Sequence, residues 1–223
     1  YSTIGKLRSI VCNDTSILSF SPPKCLDFYE FINKYPCHDC FAEDYIEGTM
    51  ITAYFNKKTN KWEISSKSAI GASVYFYDKD LTFDKMFFQA CKNCNFSLES
   101  LPKDYSYTFI LQHPNNRIVL NITIPYIYLI KVYQINNTSI FKVDLYNFVT
   151  QNNLLNKSEN KLTIGLPNCY PIDSYENLYN YFGSNNTPIQ YPGVMIYHKD
   201  GDRTRIRNPV YQDIKYLRGN QPK

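Results

Sequence analysis

Four of the seven cysteines fall in two Cys-x-x-Cys pairs, Cys37-His38-Asp39-Cys40 and Cys91-Lys92-Asn93-Cys94. A pair at this spacing offers two thiolates from one turn, and two pairs complete the tetrahedral set that zinc prefers. The gap between them far exceeds the roughly 15–20 residues of common zinc modules, so the fold would have to bring them together. Two readings stand. One is a structural zinc held by Cys37, Cys40, Cys91 and Cys94, with His38 as a replacement ligand. The other is two pairs of small buried thiols. A redox role lacks the βαβ surroundings of thioredoxin-like motifs.

A second concentration of chemistry lies towards the end of the chain. Lys199, Arg203, Arg205, Arg207, Lys215 and Arg218 are interleaved with Tyr197, Tyr211 and Tyr216. Cations that pair with phosphates, beside rings that stack on bases, suit single-stranded RNA. Strand alternation puts Arg205 and Arg207 on one face, where both can point at phosphates. The same residues also fit a basic edge strand and an ordinary amphipathic helix. No RRM, KH or zinc-knuckle signature accompanies them. The net charge of +4 is compatible with a phosphate-bearing partner but does not demand one.

The elements that must position these groups are mostly strands. Alternation and β-branched runs predict strands at Leu7–Cys12, Ile17–Phe20, Thr49–Phe55, Trp62–Ser66, Tyr107–Gln112, Ile118–Ile122, Tyr126–Ile135, Val194–Tyr197 and Thr204–Arg207. Helical patterns cover Cys25–Lys34, Leu81–Lys92, Lys142–Thr150, Ser174–Phe182 and Val210–Leu217, with Asp84 and Asp173 placed as first-turn acids or caps. Many strands with scattered helices imply an α+β domain with antiparallel sheets. With 43% hydrophobic and 20% charged residues in 223, the chain packs a core rather than staying disordered. No apolar run reaches the ~20 residues of a membrane span. The first residues carry no secretory pattern and the cysteine count is odd, so reduced thiols in a cytosolic setting are expected. The first residue is not Met and the end is abrupt, which points to a fragment of a longer chain.

Five segments carry a further signal through their order. They are Leu7-Arg8-Ser9-Ile10-Val11 with Ser19-Phe20-Ser21-Pro22-Pro23-Lys24; Tyr45-Ile46-Glu47-Gly48-Thr49-Met50; Ser65-Ser66-Lys67-Ser68-Ala69-Ile70-Gly71; Tyr107-Thr108-Phe109-Ile110-Leu111-Gln112-His113-Pro114-Asn115-Asn116-Arg117-Ile118-Val119; and Pro192-Gly193-Val194-Met195-Ile196 with Arg203-Thr204-Arg205-Ile206-Arg207-Asn208-Pro209-Val210-Tyr211. Together, from about Leu7 to Tyr211, they resemble the RNA ligase 1 family of T-even bacteriophages, within the covalent nucleotidyltransferases, and above all the ligase-like proteins of large DNA viruses. The intact Pro-x-Asn-Arg-Ile-Val core is the most specific stretch; His113 beside it reads as a turn or packing residue. The resemblance implies one α+β nucleotidyltransferase domain over residues 1–223. Two antiparallel sheets would flank a nucleotide groove, with helices outside them.

By that resemblance Arg8, Lys24, Lys67, Arg117, Arg205 and Arg207 are phosphate-contacting cations, and Glu47, Gly48 and Gln112 belong to the nucleotide site. Cations compensate a polyphosphate, and arginine does so bidentately. Three departures matter. Tyr45 stands where the family has the lysine whose amine attacks the α-phosphate, and a phenol is a different nucleophile. Ile110 and Pro192 stand where the family has acids that hold metal or ribose. Phosphoryl transfer needs positioned positive charge and usually a metal. The implied protein therefore binds ATP or another nucleotide, or an RNA end, with weakened Mg affinity, and does not adenylylate itself. An active RNA ligase using Lys24 or Lys67 as a displaced nucleophile is the alternative. A third reading is a structural protein of a viral particle, partnered by other viral proteins in host cytoplasm or virion.

Overall fold

The computed structural model describes residues 6–75, 78–156, 161–162 and 164–219. The chain termini, read above for a secretory pattern and for truncation, lie partly outside them. In chain order the elements are β1 (Ile10–Cys12), β2 (Ile17–Phe20), α1 (Phe28–Lys34), β3 (Cys40–Asp44), β4 (Thr49–Asn56), β5 (Lys61–Ser65), α2 (Phe83–Asn93), β6 (Tyr105–Gln112), β7 (Tyr126–Asn136), β8 (Ser139–Lys142), α3 (Leu145–Gln151), β9 (Leu155–Asn156), β10 (Lys161–Leu162), β11 (Cys169–Tyr170), α4 (Tyr175–Phe182), β12 (Gly193–His198), β13 (Arg203–Arg207) and α5 (Pro209–Arg218). Among the described residues no helix is long and apolar enough to cross a membrane.

Two antiparallel sheets dominate. One has five strands in the order β5-β4-β6-β7-β8, the other four in the order β11-β3-β12-β13. Period-two alternation sends Ile51 and Ala53, then Phe109 and Leu111, then Ile127 and Leu129, to one face of the five-stranded sheet. There they pack with Phe87 of α2 and Phe148 of α3. In the four-stranded sheet Ala42, Val194, Ile196 and Ile206 face Phe31 of α1 and Leu178 and Phe182 of α4. Each sheet thus has its own core on its helix-covered side, and the opposite faces look across a cleft. The α+β architecture of paired antiparallel sheets is the expected one.

Local chemistry sets the element ends. Asp27 accepts from the Tyr29 and Glu30 amides, so α1 starts at Phe28 rather than Cys25. Asp144 accepts from the Asn147 amide and likewise delays α3. Ser174, not Asp173, caps α4. The expected strand at Ile118–Ile122 does not form. The amides of Ile118, Val119 and Leu120 donate to the Glu47 carboxylate instead of a neighbouring strand. His113 accepts from the Asn115 amide at the turn before this loop, and burial pushes its imidazole pKa down.

A buried ion pair joins the sheets. Lys131 of β7 reaches Glu43 of β3 at 2.6 and 2.7 Å, each side chain 5% exposed. The register between β6 and β7 shifts at Thr108/Phe109, so that Thr108 opposes Lys131 while Phe109 opposes Leu129. Without that extra residue, alternation from Leu129 would carry Lys131 into the apolar core; the irregularity re-aims it towards Glu43. Its ammonium also lies 4.0 Å from the centroid of the Tyr197 ring. Removing one partner of a buried pair strands the other charge. Lys131→Ala should therefore cost about 3–5 kcal/mol in urea unfolding, and the double replacement Lys131→Met with Glu43→Leu much less. Equal small losses in both would show that the pair does not hold the sheets.

Candidate functional site

The segment Tyr45-Ile46-Glu47-Gly48 carries the chain from β3 of one sheet to β4 of the other. Such a crossover must bend sharply where the sheets converge. Gly48 does so at φ 151°, and a Cβ there would collide with the Leu111 carbonyl oxygen and the Ile110 side chain. Gly193 opens β12 at φ 144°, pressed against the Ile206 carbonyl. The Tyr45 amide donates to the Gly193 carbonyl, which pins the crossover to the second sheet.

Beside this crossover lies a cleft of about 220 Å³. One wall is the open face of the four-stranded sheet, whose register forms two cross-strand rows: Glu43, Met195 and Arg205, then Phe41, Tyr197 and Arg203. The other wall is Gly48 and Met50 of β4, Ile110 of β6 and Ile130 of β7. Arg8 and Cys25 close it from the N-terminal segment, and Tyr211 and Lys215 of α5 from the other side. Lys6, just before Arg8, is anchored on Asp202 at 2.8 Å. Burial alone would raise the Asp202 pKa, but hydrogen bonds from Lys6, Tyr35 and Lys34 hold it at about 2.

The charges in the cleft are unevenly satisfied. Glu43 is taken by Lys131. Asp44 accepts from the Tyr170 hydroxyl at 2.5 Å and from the Asn168 amide and side chain at 2.9 and 2.8 Å. Glu47, 5% exposed, accepts from three backbone amides and from the Tyr211 hydroxyl at 2.7 Å. All three lining carboxylates already have partners. Not every cation does: the Arg8 Nε is buried with no hydrogen-bond partner. Burial, then Arg203 and Arg205 nearby, push the Arg8 pKa down. An anion here would relieve both the missing hydrogen bond and the crowding of like charge. Arg203 is occupied, donating to the carbonyls of Pro23 at 2.6 Å and Pro22 at 3.3 Å.

Of the residues expected at the site, the fold brings Arg8, Tyr45, Glu47, Gly48 and Arg205 together. Five lie elsewhere. Lys24 is exposed and does not line the cleft, although its neighbour Cys25 does. Lys67 is exposed on a separate groove that shares Arg8 with the cleft. Gln112 donates to the Glu47 carbonyl at 2.9 Å, bracing the crossover. Arg117 points outward and donates to Asn121. Arg207 is exposed beyond the cleft end of β13. The Glu47 carboxylate, at the cleft as expected, accepts from the loop after β6 and from Tyr211. The sequence reading missed Arg203, Lys215 and Tyr211 as cleft residues. The signals were there: the arginine alternation begins at Arg203, and Tyr211 and Lys215 are one helical turn apart.

The four cysteines do not assemble. Cys91 and Cys94 are buried in the core beneath the five-stranded sheet, where burial pushes the Cys91 thiol up to about 12. Cys37 donates to the Asp173 carbonyl, and Cys40 contacts the Tyr175 hydroxyl, beside the other core. Among the described residues no group of three or more candidate ligands could hold a metal ion. Cys91 and Cys94 fit the reading as small buried thiols, whereas Cys37 and Cys40 are half-buried at the edge of the other core.

No protein-family model and no curated protein matches the sequence. Solved structures do. An RNA ligase of Naegleria gruberi, as a lysine-to-alanine variant with ATP and Mn, superposes with a TM-score of 0.62 at 11% identity, covering 95% of this chain and 61% of that one. A lysine-to-methionine variant with AMP and Mn gives 0.60 at 12% identity, over 94% and 60%. The fold is that of an RNA-ligase nucleotidyltransferase. This chain spans about three fifths of the length of those ligases, and within that span the nucleotidyltransferase fold places its paired sheets around the cleft described here.

Glu47 is the joint of this cleft. Hydrogen bonds to a charged group contribute about 1.5–3 kcal/mol each way of counting, and neutral ones about 1 kcal/mol. Glu47→Gln should lower stability by about 2 kcal/mol and speed hydrogen exchange at the amides of Ile118–Leu120, whereas Tyr211→Phe should cost about 1 kcal/mol. Unchanged exchange at those amides would mean that Glu47 does not organise the loop.

Proposed function

We propose that this chain is a nucleotide- or RNA-end-binding protein on an RNA-ligase fold, without self-adenylylation. One observation carries the reading: Arg8, its buried Nε without an acceptor, and Arg205 both line the cleft beside the crossover that holds Tyr45, the residue that by the resemblance takes the place of the nucleophilic lysine. Binding a phosphate needs only positioned cations in a partly dry site. Forming a phosphoramidate needs an amine in line with phosphorus. The first requirement is met by residues of this chain, and the second is not met at position 45. The interleaved rings and cations of β12, β13 and α5 support an RNA end as the larger ligand, with bases stacking where phosphates pair. The domain would act as one part of a longer protein.

A second reading has one observation in its favour. Lys24 and Lys67 are both off the cleft, but Lys215 lines it. A displaced lysine nucleophile, if the chain uses one, is Lys215.

Intact-mass measurement after incubation with ATP and Mg or Mn separates the two. The binding reading expects no added AMP. At saturating nucleotide, around 100 times Kd, it expects about 2.7 kcal/mol of stabilisation, or roughly 5–10 °C in Tm for a domain of this size. An AMP adduct on Lys215 would establish the second reading, and an adduct on any residue would overturn the first.

A further inference from the structure

The ligase structures that share this fold were solved with Mn alongside the nucleotide in the two cases described above, yet the residues lining this cleft do not fit a divalent cation. A hard cation needs several oxygen ligands with lone pairs to give. Here three carboxylates reach the cleft, and each is already engaged. Both oxygens of Glu43 accept from Lys131. Both oxygens of Asp44 accept, from Tyr170 on one side and Asn168 on the other. The Glu47 carboxylate accepts from the amides of residues 118–120 and from Tyr211. To ligate a metal, Glu43 or Glu47 would have to share its carboxylate with a buried partner, Lys131 or Tyr211, and Asp44 would have to share its own with Tyr170 and Asn168. Ile110, which also lines the cleft, offers no ligand atom.

The unmatched charge in the cleft is positive. Arg8 keeps a buried Nε without an acceptor. Arg205 stands in the cleft row of β13 opposite Met195. Lys215 lines the same space from α5, one turn after Tyr211, whose bond to Glu47 fixes the helix against the crossover. These are the groups that compensate phosphate charge directly.

We propose that the cleft takes a polyphosphate without a bridging divalent cation, with Arg8, Arg205 and Lys215 supplying the charge compensation. The inference rests on the binding reading above and narrows its ligand to the metal-free form. Chelating a divalent cation lowers the negative charge of a nucleoside triphosphate, so added metal competes with the cleft for the same oxygens.

The test is titration calorimetry of the chain with ATP, and separately with inorganic tripolyphosphate, in EDTA and then in excess Mg. Binding in EDTA should be tighter than in Mg by roughly threefold or more. Lys215→Gln, on a half-exposed helix position that leaves the core intact, should weaken the EDTA value about tenfold, as should Arg8→Gln. Binding that appears only with Mg or Mn, or that is indifferent to Lys215→Gln and Arg8→Gln alike, overturns this inference while leaving nucleotide binding in place. Absence of binding in both media overturns the binding reading itself, and this inference with it.

Discussion

Glu47 lies on the strand-to-strand crossover and gathers a loop of one sheet and the helix that follows the other around a single carboxylate. Its partners are three consecutive amides and the Tyr211 hydroxyl, all in a site from which water is largely excluded. A buried carboxylate is tolerated only with such a set of donors. The cleft exists because this anion is satisfied from three directions: the crossover cannot straighten, the loop cannot pair as a strand, and α5 cannot lift away. Glu43 does the same work one row deeper, where Lys131 neutralises it across the gap between the sheets.

The consequence for chemistry is a separation of roles by sign. Negative groups in the cleft hold the architecture, and on the proposed reading Arg8, Arg205 and Lys215 serve a ligand. In an enzyme that transfers phosphoryl groups with a metal, acids would be held ready for the cation. Here they already have protein partners, and on the proposed reading Tyr45 takes the place of the amine at the crossover. The two departures are consistent with each other. A site of the proposed kind, without metal or covalent adduct, still has use for guanidinium groups, because electrostatic binding of phosphate requires neither.

Much of the scaffold was legible in the sequence. The long alternating runs around Thr49–Phe55, Tyr107–Gln112 and Tyr126–Ile135 became β4, β6 and β7 because each buries one face against helices, and a period of two survives that environment. β3 was not foreseen. It is short, and its residues Cys40-Phe41-Ala42-Glu43-Asp44 mix a buried acid with the apolar face, so its pattern does not read as a strand. The segment Ile118–Ile122 failed in the opposite sense: its apolar residues suit a strand, but its amides are claimed by a side chain 71 to 73 positions earlier. The site was partly legible for the same reason. Arg8, Gly48 and Arg205 could be placed from motif order. Lys215 and Arg203 entered the cleft through packing of α5 and the full length of β13. The two Cys-x-x-Cys pairs were local signals that the topology sends to different cores.

The most direct measurement is a crystal structure of this chain with ATP in the absence of divalent metal. The account predicts the nucleotide in the cleft between the sheets, not covalently attached, with phosphate oxygens within about 3 Å of Arg8 Nε and of Arg205. Phosphates bound at another surface, or joined to any side chain of the protein, would contradict it.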